Sequence, residues 1–291
     1  MNADAAILSD AHARTVLATM VLLGAASGAI GTPLVLRRHA LLGDALGHAT
    51  LPGLAGASIA SIALGGSGRE PAVLLGGAAM GAAAGAAAVW LVRRWARTSA
   101  DAATAVSLGT LFGLGVVLLS ALQQLDAGHR AGLDAYLLGS AAGLVRTDLW
   151  IAVAIAVATA VTFAVLARDI RAATFDPTFA QVAGRPVRLI GGAWALLTVV
   201  TVVAGMQAVG LVMVLALLVI PPAAARCWTD RFMGVVAIAS AIGAGASAAG
   251  AAASALAPRL PTGAMVVLAL GAAFAASAVR AALRRPIGAH A

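Results

Sequence analysis

Stretches of about 20 residues with scarcely an ionisable side chain recur along this chain, and as a helix each suits a hydrocarbon core about 30 Å thick. The spacing predicts spans near 15–36, 44–64, 71–92, 102–122, 149–167, 189–206, 208–226, 232–255 and 262–283. The sixth and seventh are nearly continuous, with Gln207 at the turn, so the count reads as eight or nine. Only 10% of the 291 residues are charged, against roughly 25% in soluble domains, which leaves too little polar surface to face water. The fold class that follows is all-α, a polytopic membrane helix bundle. A short N-terminal tail (1–14) and a C-terminal tail (284–291) flank a transmembrane domain over 15–283.

Alanine and glycine supply much of the apolar content. Small residues let helix backbones approach closely, and the spacings Gly24/Gly28, Gly77/Gly81/Gly85 and Gly109/Gly113 predict tight packing. Met1 to Arg14 carries Asp4 and Asp10 without a basic leader, so no cleavable signal peptide is evident and the first apolar run is expected to be retained.

All 19 basic residues are arginine. Without lysine the chain has no Walker A loop and no Schiff-base chemistry, so it is not itself a P-loop ATPase. The net charge of +8 does not indicate nucleic acid, because the arginines sit at the ends of apolar segments, where they set topology. Arg37, Arg38, Arg93, Arg94, Arg97, Arg168, Arg171, Arg185, Arg188, Arg226, Arg231, Arg280, Arg284 and Arg285 fall on one side. Arg14, Arg69, Arg130, Arg146 and Arg259 fall on the other. That asymmetry predicts an outside N-terminus and a cytoplasmic C-terminus. A single cysteine, Cys227, excludes an intramolecular disulfide and a cysteine-cluster metal site.

Against this background Asp44 and His48 stand out. Four residues apart on a helix, they share one face and can offer an oxygen and a nitrogen to one ion. Pro52, four residues further on, has no N–H for the His48 carbonyl, so the helix is expected to bend there with a free acceptor beside the pair. Ionisable groups at membrane depth are expensive and point to function. The bland alternative is an interfacial cap with a hydrogen-bonded core histidine, favoured by Asp44 lying close to the cytoplasmic boundary. Carboxylate oxygen and imidazole nitrogen suit zinc and manganese alike, and two ligands are too few for a closed tetrahedral site. Four ligands across a dimer, or a shell completed by water and carbonyls, would answer that.

Other features are secondary. Residues 168–188 form the longest cytoplasmic link, in which Asp176 serves as N-cap, Pro177 as first helical residue and Gly184 as stop. The short helix would carry Phe175, Phe179 and Val182 as apolar contacts. The outside connection 123–147 holds Asp126, His129, Asp134 and Tyr136; the acids and the histidine read as solvated loop, with a cation-attracting entrance as the alternative, and the apolar tail from Leu133 to Leu144, too short to span, reads as re-entrant. Pro221 and Pro222 interrupt the seventh span, freeing the Leu217 and Leu218 carbonyls, as a helix lining a transport path tolerates. Asp101, after Ser99, and Asp148 read as caps, His39 and the Arg69–Glu70 pair as solvated, and Met206 and Met213 as packing.

Ordered motifs then connect the chain to a family. They are Leu36-Arg37-Arg38 through Gly43-Asp44-Ala45-Leu46-Gly47-His48-Ala49-Thr50-Leu51-Pro52-Gly53, and Tyr136-Leu137-Leu138-Gly139-Ser140 with Thr147-Asp148-Leu149. Phe175-Asp176-Pro177-Thr178-Phe179-Ala180 with Gly184, Gln207 through Val214, Ile220-Pro221-Pro222-Ala223-Ala224-Ala225-Arg226 and Leu260-Pro261-Thr262-Gly263 follow. In this order they resemble the membrane permease subunits of bacterial zinc and manganese ABC importers across nearly the whole chain. Leu138 stands where the family often has a bulky aromatic.

The resemblance implies a permease of the bacterial inner membrane, not an enzyme, that pairs with a second copy and with cytoplasmic ABC ATPase subunits that bind ATP. It implies an extracytoplasmic metal-binding protein as donor and no permanently bound cofactor. It places metal contact on Asp44 and His48, and ATPase coupling on the segment holding Phe175, Asp176, Pro177, Phe179 and Gly184. Pro52, Pro221 and Pro222 would be helix breaks near the path. A stand-alone secondary transporter is the alternative, but no inverted repeat is evident and Asp44 is nearly the only acid within a span. A membrane enzyme would need a second reactive cluster, which is lacking.

Overall fold

The structure, a computed structural model, describes residues 11–37, 40–68, 70–125, 143–256 and 261–284. The regular elements among them are helices: α1 (Ala11–Leu36), α2 (Ala40–Ala63), α3 (Pro71–Trp95), α4 (Ala100–Leu125), α5 (Arg146–Phe175), α6 (Pro177–Val182), α7 (Val187–Val209), α8 (Leu211–Ala225), α9 (Phe232–Leu256) and α10 (Thr262–Arg284). Seven of these, α1, α3, α4, α5, α7, α9 and α10, are long and apolar enough to cross a membrane, and α8 is a shorter apolar helix. The protein is therefore a polytopic helical membrane protein. The exception is α2, long enough but less apolar, because Asp44, His48, Thr50 and Pro52 all fall within it.

Each predicted span has its helix, with three local corrections. The turn between α7 and α8 falls at Gly210, not Gln207. Gly210 has φ +88, a conformation that glycine adopts without the steric cost other residues meet. The fifth helix does not stop at 167 but continues to Phe175, carrying Arg168, Asp169 and Arg171 on the same helix. The cap of α4 is Ser99, whose Oγ accepts from the Ala102 amide at 3.2 Å, and Asp101 sits in the first turn. Asp148 lies inside α5 and its Oδ2 accepts from the Val145 amide at 2.8 Å, reaching back over the helix start. Met206 and Met213 are both buried, as packing residues are.

The helices form two compact units. One contains α2, α3, α4, α7 and the first turn of α8, and its core joins Leu46, Leu54, Leu74, Ala78, Ala82, Val199, Val203, Met206 and Leu211. Here α2 and α3 meet backbone to backbone. A Cβ built at Gly53 would strike the Gly77 carbonyl and come within 2.7 Å of Gly81 Cα, and one at Gly81 would strike the Ala49 carbonyl. Gly85 meets the Ala49 side chain in the same way. Gly109 and Gly113, expected to pack tightly, have open space where a side chain would be. On α4 the close approach is made by Gly115, where a Cβ would lie 2.8 Å from Leu51 Cβ and 3.0 Å from Pro52 Cδ. Arg37, just before α2, has its pKa lowered by burial and by the nearby Arg93.

The other unit contains α1, α5, α6, the rest of α8, α9 and α10. Gly24 and Gly28 of α1 lie against the Gly243 and Ala239 backbone of α9, as their spacing predicted. The corner at the start of α9 is aromatic: Phe232 stands 6.3 Å from both Phe163 and Phe175. Trp228 donates from Nε1 to Ser277 Oγ at 2.9 Å, and the Arg280 guanidinium lies 3.6 Å above its ring, tying the α8–α9 turn to α10.

Glycine contact of this kind makes a specific prediction. Gly53→Ala forces α2 and α3 apart and should destabilise the protein by about 1–3 kcal/mol. Gly109→Ala fills open space and should be neutral or stabilise by up to about 1 kcal/mol. Thermal unfolding in detergent measures both, and equal shifts would show that the α2–α3 approach is not tight.

Candidate metal site and coupling segment

The polar pair is built by α2 alone. One helical turn separates Asp44 and His48, and Nε2 of the imidazole lies 3.3 Å from Oδ1 of the carboxylate. Their side chains are 38% and 26% exposed, so the pair is sheltered but open on one side. The second ring nitrogen, Nδ1, is buried and has no hydrogen-bond partner among the described residues. Phe112 of α4 packs on the His48 ring edge-to-face, centroids 4.9 Å apart and planes at 76°.

The surroundings explain why α2 holds these groups. Gly47, between the two, has Leu211 and Leu215 packed where a side chain would be. Thr50 is fully buried; its Oγ1 donates to the Gly47 carbonyl at 2.6 Å and lies 3.1 Å from Met206 Sδ. Helical structure continues through Pro52, whose ring nitrogen cannot donate, so the His48 carbonyl lacks its usual partner one turn on. A carboxylate oxygen and an imidazole nitrogen therefore face each other across one turn of α2, and the carbonyl that Pro52 cannot bond belongs to the same residue as the imidazole. Two ligands each about 2.1 Å from a common ion and 3.3 Å apart subtend about 104° at it, near the tetrahedral angle. The described residues contain no group of three or more His, Cys, Asp or Glu that could hold a metal ion.

The second predicted feature, the segment after α5, forms as its sequence reads. Asp176 caps α6, its Oδ1 accepting from the Phe179 amide at 2.8 Å, and Pro177 is the first helical residue. Gly184, at φ +73, ends the turn. Arg185 then forms an ion pair with Asp169 of α5. Ala180 is buried beneath α6, while Phe175, Phe179 and Val182 are 59%, 64% and 84% exposed. Phe179 and Val182 on this tethered turn, with Phe175 just before it, leave a largely exposed apolar surface, although the Phe175 ring also meets Phe232 edge-on.

Pro221 and Pro222 lie in α8, which remains helical through both. The expected interruption is absent, and Gly31 of α1 lies against the Leu218 carbonyl freed by Pro222, where a side chain would have no room. His39 and residues 126–142, with Asp126, His129, Asp134, Tyr136 and most of the re-entrant reading, lie outside the described residues. Sequence reasoning missed Phe112. Its signal was available: it is the one aromatic of α4, in a chain only 4% aromatic.

Fold and site together define a multi-pass helical membrane protein with one sheltered acid–imidazole pair. The chain belongs to the ABC 3 transport family, whose model matches residues 9–281. It is 35% identical over 270 residues to the zinc transport system membrane protein TroC of Treponema pallidum, covering 93% of this chain and 89% of that relative. It is 38% identical over 236 residues to the manganese transport system membrane protein MntC of Bacillus subtilis, covering 81% of this chain. The match spans 53% of that relative's length. Among solved structures, PsaBC from Streptococcus pneumoniae in complex with Fab superposes with a TM-score of 0.76 at 24% identity, covering 94% of each chain. That likeness extends to the helical fold.

The cap on α6 can be tested directly. Asp176→Ala should cost about 1 kcal/mol of local stability. Hydrogen exchange at the Phe179 amide should then rise about fivefold, while α2 is unaffected. Unchanged exchange would show that Asp176 does not hold the turn.

Proposed function

We propose that this chain is the permease subunit of an ABC importer that moves divalent zinc or manganese into the cytoplasm, driven by a separate ATPase subunit. The observation that carries this reading is the Asp44–His48 pair, 3.3 Å apart on one face of α2. It sits in a chain whose relatives include zinc and manganese transport membrane proteins. The absence of lysine supports a separate ATPase, since no residue here can play the Walker A role.

In this reading a second copy supplies another Asp44–His48 pair, and an extracytoplasmic metal-binding protein delivers the ion. The incomplete two-ligand shell suits transport, where binding must be firm enough for entry and weak enough for release. The exposed Phe175, Phe179 and Val182 of the α5–α6 corner provide the apolar face for the ATPase. ATP-driven closure of that subunit pushes on α6, and the tether between Arg185 and Asp169 passes the movement to α5. The arginine asymmetry orients the chain with its N-terminus outside and these contacts in the cytoplasm.

Reconstitution in liposomes with the ATPase and the binding protein tests it. Uptake of zinc or manganese should require ATP, and the pair Asp44→Ala/His48→Ala should lower it at least tenfold with the complex still assembled. Uptake without ATP would mean a secondary transporter, and full uptake by the double variant would remove the pair from the path.

A further inference from the structure

We infer that Phe112 is a positioning residue for metal binding, holding the His48 ring through an α2–α4 register that Gly115 sets. The inference rests on the metal-binding role proposed above for His48, and its observations come from α4.

Two contacts between the same helices lie one turn apart. Gly115 meets Leu51 and Pro52 so closely that a Cβ would stand 2.8 Å from one and 3.0 Å from the other. Phe112, three residues earlier on α4, meets His48, four residues before Pro52 on α2. Residues three and four apart share a helix face, so both contacts belong to one seam. The Gly115–Pro52 contact fixes how near the helices come and how they are phased. Phe112 is thereby set on the imidazole.

The imidazole needs such a support. Its backbone helix fixes where the ring starts but not its rotation about the terminal torsion, which is broad for histidine. On one side Asp44 faces Nε2 at 3.3 Å, longer than an ordinary N–H···O hydrogen bond. On the other, buried Nδ1 has no hydrogen-bond partner among the described residues, so no polar contact holds that edge. A ligating histidine usually has its second nitrogen fixed by a hydrogen bond, which orients the ring. Here an aromatic edge-to-face contact takes that place. Phe112 touches the ring and not the ion, so it acts through His48.

The test is uptake kinetics with manganese and with zinc, each metal in turn, in liposomes holding the chain with its ATPase and supplied with the binding protein. Phe112→Leu, similar in bulk but without a ring, should raise KM about three- to tenfold, the range an aromatic pair contributes. Vmax should change by less than about twofold, because a merely disordered permease would lose rate instead. Phe112→Tyr keeps the ring and should restore KM. Gly115→Ala, which must push α4 away, should raise KM as Phe112→Leu does. In the His48→Ala background Phe112→Leu should add nothing further, as expected of two residues acting as one unit.

The outcomes separate. If His48→Ala raises KM and Phe112→Leu does not, the positioning role is overturned and the site stands. If Phe112→Leu raises KM equally with and without His48, Phe112 acts elsewhere and the inference is overturned. If His48→Ala leaves KM unchanged, the site reading fails and the inference with it.

Discussion

Direct contact between helix backbones at glycine is the constraint on which the rest of this protein depends. Lipid chains are as apolar as leucine, so helices in a membrane gain little by exchanging lipid for one another unless they pack very closely. In this chain that closeness comes from absent side chains. Gly53, Gly77 and Gly81 bring α2 onto α3, Gly115 brings α4 onto α2, and Gly24 and Gly28 bring α1 onto α9. The first two contacts matter beyond stability. They hold α2, which carries the polar pair and would have the weakest reason of its own to stay in a membrane. A carboxylate and an imidazole are expensive to keep in a membrane helix, and an interior proline weakens the helix by about 3 kcal/mol. Close contact along α2 on two neighbours is the offset.

The same helix shows how packing and function are separated along one face. Ala49 and Gly53 are given to α3, Leu51 and Pro52 to α4, and Gly47 to the leucines of α8's first turn. Asp44 and His48 are left partly open. Thr50, which could have been a third polar group at the site, is instead fully buried and spends its hydroxyl on the Gly47 carbonyl. An i–3 bond of this kind satisfies the hydroxyl without any partner outside the helix. The polar chemistry available to a ligand is thus narrowed to one carboxylate, one imidazole and the carbonyl that Pro52 leaves free.

Much of this was legible in the sequence, and what was not has physical reasons. Apolar runs of spanning length predict a helix wherever one occurs, and Asp176-Pro177 with Gly184 predicts the short turn, because caps are local chemistry. Where a helix ends is less legible when polarity and conformation disagree. Gln207 marked the α7–α8 turn by its polarity, but the chain turns at Gly210, where the backbone needs a positive φ. Arg168 and Arg171 marked the end of a membrane run, which is not the end of a helix; α5 continues through both. Glycine spacing also says less than glycine contact. Gly109 and Gly113 have the same spacing as Gly24 and Gly28, yet the former pair faces open space and the latter a neighbouring backbone. Which stripe of a helix meets another is decided by all its neighbours at once. For that reason the contact of Gly115 could not be read from α4 alone, and Phe112 stood out only as the one aromatic of that helix.

The prolines carry the argument furthest, because sequence treats them alike and structure does not. Pro52 and Pro222 each remove one amide donor and so free one carbonyl four residues back. An unpaired carbonyl in a low-dielectric interior is costly unless something covers or uses it. For Pro222 the freed oxygen is that of Leu218, and the glycine at position 31 of α1 is packed against it. With that contact in place, α8 is helical across a double proline. For Pro52 the neighbouring glycine, Gly115, packs on the proline ring itself. The His48 carbonyl belongs to the helix that carries a carboxylate and an imidazole open on one side. A backbone defect of one kind thus meets a neighbouring helix at its freed oxygen in α8, and in α2 it falls on the residue that also supplies the imidazole.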